Sequence, residues 1–141
     1  MAKQQIYSIP GLHQATTQTK VGGHATESTA TYGIWKAPCD CEIVNIYQFF
    51  DTAITGADTN SRTLSFIDGG TDGAGTATLT GSSKAYTSGV NASVIAPVDM
   101  SPTTPYALDE GDILVYSNAK VGSGLSAVVP RSVVQIAFKA V

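Results

Sequence analysis

The sequence predicts an all-β protein: a β-sandwich or jelly roll of about eight short strands at 30–141, behind an extended N-terminal arm at 1–29. Three observations predict it. Segments rich in β-branched and aromatic residues, such as Thr63-Leu64-Ser65-Phe66-Ile67, alternate with breaks built from Gly, Asp and Asn, such as Asp68-Gly69-Gly70. No stretch sustains an apolar period of about 3.6 residues over three turns, so helices have no support. Turn signals recur at short intervals, the spacing of sandwiches, jelly rolls and barrels.

The elements follow in order. Ile6-Tyr7-Ser8-Ile9 reads as a possible short strand ended by Pro10-Gly11. Leu12 to Thr29 is Gln, Thr, Gly and His with few large apolar groups, which reads as an arm that orders against a neighbour or as a loose terminus. Thr31 to Trp35 is a strand ended by Ala37-Pro38. Glu42 to Phe50 is the strongest strand, and its apolar residues fall on both parities, which predicts that both of its faces are covered for part of its length. Ser61 to Ile67 is the next strand. Thr76–Thr80 and Ser83–Tyr86 read as two short ones, and Ala92 to Val98 as another broken by Pro97. Asp112 to Ser117 follows the turn at Asp109-Glu110-Gly111. Ser132 to Val141 closes the chain, with Val134, Ile136 and Phe138 on one parity.

Composition narrows the function classes. A chain of 141 residues suits one domain and buries enough surface to fold without metal or disulfide. Charged residues are 13% of the chain, against about 25% in an average soluble protein, while 43% are hydrophobic. A core is therefore available behind a weakly charged Thr/Ser surface. The net charge of −3 and the scatter of the 8 basic residues argue against a nucleic-acid binder. Met1-Ala2-Lys3-Gln4-Gln5 opens no apolar run of the secretory kind. No run approaches the ~20 apolar residues of a membrane-spanning helix. Neither nucleic acid nor membrane is expected as a partner, and assembly in a cytoplasm is.

Candidate chemistry is thin. Cys39-x-Cys41 places two thiols on one strand face, but a zinc site takes four ligands, and His13 and His24 lie in the arm without ligand spacing. Two ordinary free thiols are the plainer reading. Asp68-Gly69-Gly70-Thr71-Asp72-Gly73 has the look of a calcium loop, yet Gly70 and Leu79 stand where oxygen ligands belong. Asp51, Asp58 and Asn60 are near in sequence and offer further oxygens. A hairpin connection is the plainer reading there. Gly69-Gly70 and Gly73-x-Gly75 lack the lysine and helix of a phosphate loop. Gly122-Ser123-Gly124 is a turn, not a nucleophile elbow. The spacing of a carboxylate pair is spatial and not readable from the sequence, and the chain has only three glutamates, Glu27, Glu42 and Glu110. Asn91-Ala92-Ser93 is a formal sequon. Trp35, Tyr32, Tyr47, Phe49 and Phe50 read mainly as core, with one or two free to anchor an interface. The residues point to no catalytic, cofactor-binding or metal site, and to a protein that is not an enzyme.

The order of features resembles a known group. An Ala37-Pro38 turn leads into the apolar strand Ile43 to Phe50. Then come Thr55-Gly56-Ala57-Asp58-Thr59-Asn60, a strand ending in Asp68-Gly69-Gly70, and Glu110-Gly111-Asp112 opening a later strand. This resembles the small β-sandwich structural proteins of tailed bacteriophages, of the capsid decoration (cement) or head-fibre type, over residues 30–141. The resemblance implies a virion structural protein on the capsid surface. It would bind across neighbouring subunits of the major capsid protein, as a homotrimer. The number three comes from the resemblance alone. Low charge and unprotected edge strands fit any closed oligomer. Two other classes stay open: a glycan-binding tail-fibre or adhesin module that uses the Gly/Thr loops, and a small hydrolase on a jelly roll.

Overall fold

In the computed structural model, residues 14–22, 29–122 and 130–141 are described. They form nine strands: β1 (Gln14–Val21), β2 (Ala30–Lys36), β3 (Cys41–Phe50), β4 (Arg62–Asp68), β5 (Ala77–Tyr86), β6 (Val98–Asp99), β7 (Tyr106–Leu108), β8 (Ile113–Lys120) and β9 (Ser132–Ala140). One sheet has the order β1-β9-β3-β6, with β7 beside β6 on the same edge of β3. The other has the order β2-β8-β4-β5. All pairs are antiparallel. Two such sheets face to face make a β-sandwich, and this order is that of a jelly roll.

The topology is one long nested hairpin wrapped into two layers. Its innermost pair is β4–β5 around the glycine-rich turn. Outside it lie β3 with β6 and β7, then β2 with β8, then β1 with β9. Successive pairs alternate between the sheets, and rolling closes each sheet through β3–β9 and β4–β8. Because β6 and β7 share one flank of β3, they act as a single interrupted strand, and the nine strands make about eight.

The core lies between the sheets and follows from alternation. On β9, Val134, Ile136 and Phe138 are buried, and on β4 so are Leu64 and Phe66. Burying each such side chain contributes roughly 1.5–3 kcal/mol. Ring contacts join the layers: Trp35 meets Phe138 with centroids 4.9 Å apart, and Phe50 meets Tyr86 edge-on at 6.4 Å. A polar bridge joins them too. Gln48 Nε2 donates to Ser132 Oγ at 2.9 Å within its own sheet and to Tyr116 Oη at 3.3 Å in the other.

Four strand expectations change. The two parities of β3 come from a bulge between Ile43 and Asn45, not from a cover on both faces. Cys41 and Ile43 point inward before it, and Ile46, Gln48 and Phe50 after it, while Phe49 on the outer face is 39% exposed. Thr76–Thr80 and Ser83–Tyr86 are one bulged strand, β5. Ala92 to Val98 is a loop apart from one bridge, Ile54↔Ala92, and only Val98–Asp99 pairs as a strand. Pro97 has no N–H for a ladder, and Ser93 Oγ takes the Ala96 N–H at 3.2 Å. Finally, Gln14–Val21, within the stretch expected as an arm, pairs with β9 along its whole length. Ala15, Thr17, Thr19 and Val21 alternate inward, a weak pattern because three are small or polar. The possible strand at 6–9 lies outside the described residues.

Candidate functional site

The Asp68–Gly75 loop is the β4–β5 turn. Asp68 Oδ1 accepts the Gly70 N–H at 3.0 Å, and Asp72 Oδ1 accepts that of Ala74 at 2.9 Å. The other Asp68 oxygen takes the Tyr106 hydroxyl at 3.2 Å. Gly70 and Gly73 have φ of 64° and 77°, which the tight reversal requires. The carboxylates thus hold the turn itself. The other oxygen donors offered by the sequence are used elsewhere: Asp58 accepts the Ser88 N–H at 2.9 Å, and Asp51 pairs with Arg131 at 3.2 Å on the surface. Among the described residues, no three His, Cys, Asp or Glu side chains are grouped to hold a metal ion.

Cys41 opens β3 and is fully buried; Cys39 is half-buried at the turn before it. Burial first, then the charges of Cys39, Asp40 and Asp112, push the Cys41 thiol up to about 12. At neutral pH it is held as the protonated thiol. Glu42 pairs with Lys139 at 3.3 Å across β3 and β9. Glu110 donates its N–H to Asp40 Oδ1 at 2.8 Å in the β7–β8 turn. Asn91 Oδ1 accepts the Gly56 N–H at 3.0 Å and so ties two loops together. His13, His24, Glu27 and Ser123 lie outside the described residues. Of the aromatic group, Trp35, Tyr32 and Phe50 pack against the core, while Tyr47 and Phe49 face outward on the first sheet.

Two surface features remain. The first is the loop tip Val94-Ile95-Ala96-Pro97 before β6. All four residues are exposed, Ile95 by 91%, and the tip carries no charge. It is anchored by the Ile54↔Ala92 bridge and by the Ser93–Ala96 turn. Isolated apolar residues on a surface are ordinary; four in a row on a tied loop are not. The second is a polar row across the outer face of the first sheet. Register puts Gln18 beside Gln135, Gln135 beside Tyr47, and Tyr47 beside Asp99. Gln18 Nε2 donates to Gln135 Oε1 at 3.4 Å. The hydroxyl and the N–H of Ser101 hold the Asp99 carboxyl below its usual value, so it stays ionised.

Comparison with known proteins adds little. No family model and no curated protein matches the chain. Among solved structures, the chain is similar to one in the "Structure of infectious bursal disease virus Gt strain". The TM-score is 0.28 and the identity 13%, over 92% of this chain and 34% of that one. This chain thus spans about a third of that chain's length. A likeness so slight carries no argument about what the protein does.

Three surface depressions among the described residues are shallow. One of about 500 Å³ lies between Ala37-Pro38 and Glu110-Gly111, and one of about 380 Å³ lies beneath the apolar tip. A third, of about 270 Å³, lies between the end of β1 and the start of β9. Among the described residues, no helix is long and apolar enough to cross a membrane. Two features escaped the sequence reading. The tip was hidden because Ser93-Val94-Ile95-Ala96 has strand propensity, and only Pro97 spoke against it. Arg62 looked like one scattered surface charge, yet it is buried, donates to Asn118 Oδ1 at 3.4 Å, and has its pKa lowered by desolvation.

Proposed function

We propose that this is a non-enzymatic virion structural protein that decorates and reinforces a phage capsid, binding across neighbouring subunits of the major capsid protein. It acts as a homo-oligomer on the capsid surface after assembly in a host cytoplasm. The observation that carries the reading is the apolar tip at Val94–Pro97: a rigid frame presents uncharged, dehydration-ready side chains to a protein surface. The engagement of the Asp68 and Asp72 side chains in their own turn, and of Asn91 in tying two loops together, fits the same reading, since they stabilise connections. The test is co-sedimentation of the purified protein with undecorated capsids, followed by electron microscopy of the particles. Stoichiometric density on the outer capsid is expected, with greater resistance of the shell to heat. A protein that stays in the supernatant at micromolar concentration overturns the decoration role.

A glycan-binding fibre module is the second reading, favoured by the Gln18–Gln135–Tyr47–Asp99 row. Amides and a carboxylate beside an aromatic ring supply hydrogen bonds to hydroxyls and a flat apolar face. Binding to a neutral glycan panel that is lost in Tyr47→Ala would establish it in place of the first.

A further inference from the structure

Among the described residues the two sheets have four edges, and three of them are blunted. On one, β6 and β7 are only two and three residues long. On the second, β2 is broken by a bulge between Gly33 and Trp35. On the third, β5 is bulged where it passes Ser65 and Ile67, and loops bond to its backbone. The Thr103 N–H donates to the Thr80 carbonyl at 2.8 Å, and the Ala57 N–H to that of Tyr86 at 3.2 Å. Shortness, bulges and covering loops keep an edge from pairing with another chain. The fourth edge, β1, has none of these. Its eight residues run in unbroken register with β9, without proline or bulge, and its one charge, Lys20, lies on the outer face near its end. Every second residue of such a strand turns its N–H and C=O away from its neighbour. Among the described residues, no strand pairs with that side of β1 and no loop backbone bonds to it.

The strand is complementary to itself. When two copies pair antiparallel about a two-fold axis, side chains keep to their faces only if even-numbered residues meet even and odd meet odd. The central registers that satisfy this set Thr17 or Gln18 opposite itself. With Thr17 on the axis, Lys20 faces Gln14, whose neighbour on β9 is Lys139. With Gln18 on the axis, Lys20 faces Thr16, whose neighbour on β9 is Ala137, and Thr17 faces Thr19. The other charges near the strand are paired within the chain: Lys139 with Glu42, and Arg131 with Asp51, the pair that borders Lys20. In the Gln18 register no like charges stand opposite each other. That register also extends the amide row, because Tyr47, Gln135 and Gln18 of one copy continue into Gln18, Gln135 and Tyr47 of the next. Gln18 gives one N–H to Gln135 at 3.4 Å. A side-chain amide has a second N–H and an accepting oxygen, so two Gln18 side chains can exchange hydrogen bonds across the axis.

We propose that β1 of one chain pairs antiparallel with β1 of a second copy, Gln18 beside Gln18, so that the first sheets of two chains join into one continuous sheet. The contact is isologous and closes at two chains, where the phage resemblance implied three. This goes beyond the proposed function and does not rest on it. The Val94–Pro97 tip leads into β6 on the opposite edge of the same sheet, so both tips of the dimer stay free for a capsid. Eight residues a side are well below the roughly 20–30 of a standard interface, so the dimer forms at micromolar rather than nanomolar concentration.

The experiment uses the full chain without any capsid. Sedimentation equilibrium at up to about 200 μM should show monomer and dimer in exchange. Gln18→Cys should form disulfide-linked dimers under mild oxidation, absent from the wild-type chain, because residues directly opposite lie within reach of each other. A mixture of Thr16→Cys and Lys20→Cys should crosslink as a heterodimer, while Thr16→Cys alone should not. Gln18→Lys sets like charges against each other and should weaken association roughly fivefold, with recovery in salt. Since Gln18 is exposed, the thermal midpoint of the isolated chain should hold. In residue-resolved hydrogen exchange, alternate amides of β1 should be protected at high concentration and released on dilution. A monomer at the highest concentration overturns the inference; alternate amides still protected in that monomer would give the edge to other residues of the same chain. A dimer without the Gln18→Cys crosslink overturns it too. A dimer that forms but ignores capsids leaves the inference standing and overturns the decoration role instead.

Discussion

Tyr86 is fully buried, and among the described residues its hydroxyl has no hydrogen-bond partner. Burial pushes its pKa up to about 12; burial likewise raises Tyr116, and raises Cys41 to about 12. Each of these groups is neutral when protonated. The unfolded chain therefore loses its protons first as pH rises, near 9 for the thiol and near 10 for the phenols. The stability they contribute is complete below about pH 9, declines above it, and is lost as pH passes the raised folded values, about 12 for Cys41 and Tyr86. Urea midpoints measured from about pH 8 to about pH 11 should fall accordingly. Tyr86→Phe should make that fall shallower above about pH 10 and cost little at neutral pH, because it removes a buried hydroxyl that lacks a partner. A steeper fall in the variant would refute this account of Tyr86.

At the scale of elements, β1 decides where the domain begins. Its eight residues give β9 a second ladder, and Val21 is buried. Without them, the backbone of β9 becomes a sheet edge, and Val134 and Ile136 lose cover. Removing residues 1–21 should therefore lower unfolding free energy by about 3 kcal/mol or more, from lost apolar burial and ladder hydrogen bonds. Thermal or urea denaturation of the truncated chain checks this; an unchanged midpoint would make β1 an accessory to the sandwich. The bulge in β3 is decisive in another way. It lets Ile43 and Ile46, an odd number of residues apart, face the same core, and it leaves Tyr47 and Phe49 together on the outer face.

For the whole molecule, the nested hairpin sets the order of assembly. β4 and β5 are joined by the shortest link of any pair, whereas β1 and β9 are more than a hundred residues apart. Loop-closure entropy favours local pairing first, and a topology this rich in distant contacts folds in milliseconds to seconds. Substitutions that weaken the β4–β5 pair, such as Leu64→Ala, should mainly slow refolding. Those that weaken the outermost pair, such as Val21→Ala, should mainly speed unfolding. Stopped-flow refolding and unfolding of the two variants separate these outcomes, and the opposite assignment would place the nucleus at the chain ends. The capsid experiment belongs to this scale as well, since it asks what the finished sandwich adheres to.

Fold class was written in the chain because alternation is local: each strand carries its own record of which residues face inward. Ser132 to Val141 announced Val134, Ile136 and Phe138 as one face, and the β4–β5 turn announced itself through Asp and Gly at the reversal. Partnership is not local, and there the sequence was silent. Nothing in Gln14–Val21 says that it will meet a strand more than a hundred residues away; its polar, Thr-rich pattern only becomes a strand when β9 supplies the ladder. The burial of Arg62 beside Asn118 was likewise a product of two sheets meeting, as was the split of Trp35 and Phe50 from Tyr47 and Phe49. Ile95 is the sharpest case. An isoleucine in a strand-like word reads as core until the packed sandwich leaves it outside, because exposure belongs to the whole surface and not to the residue.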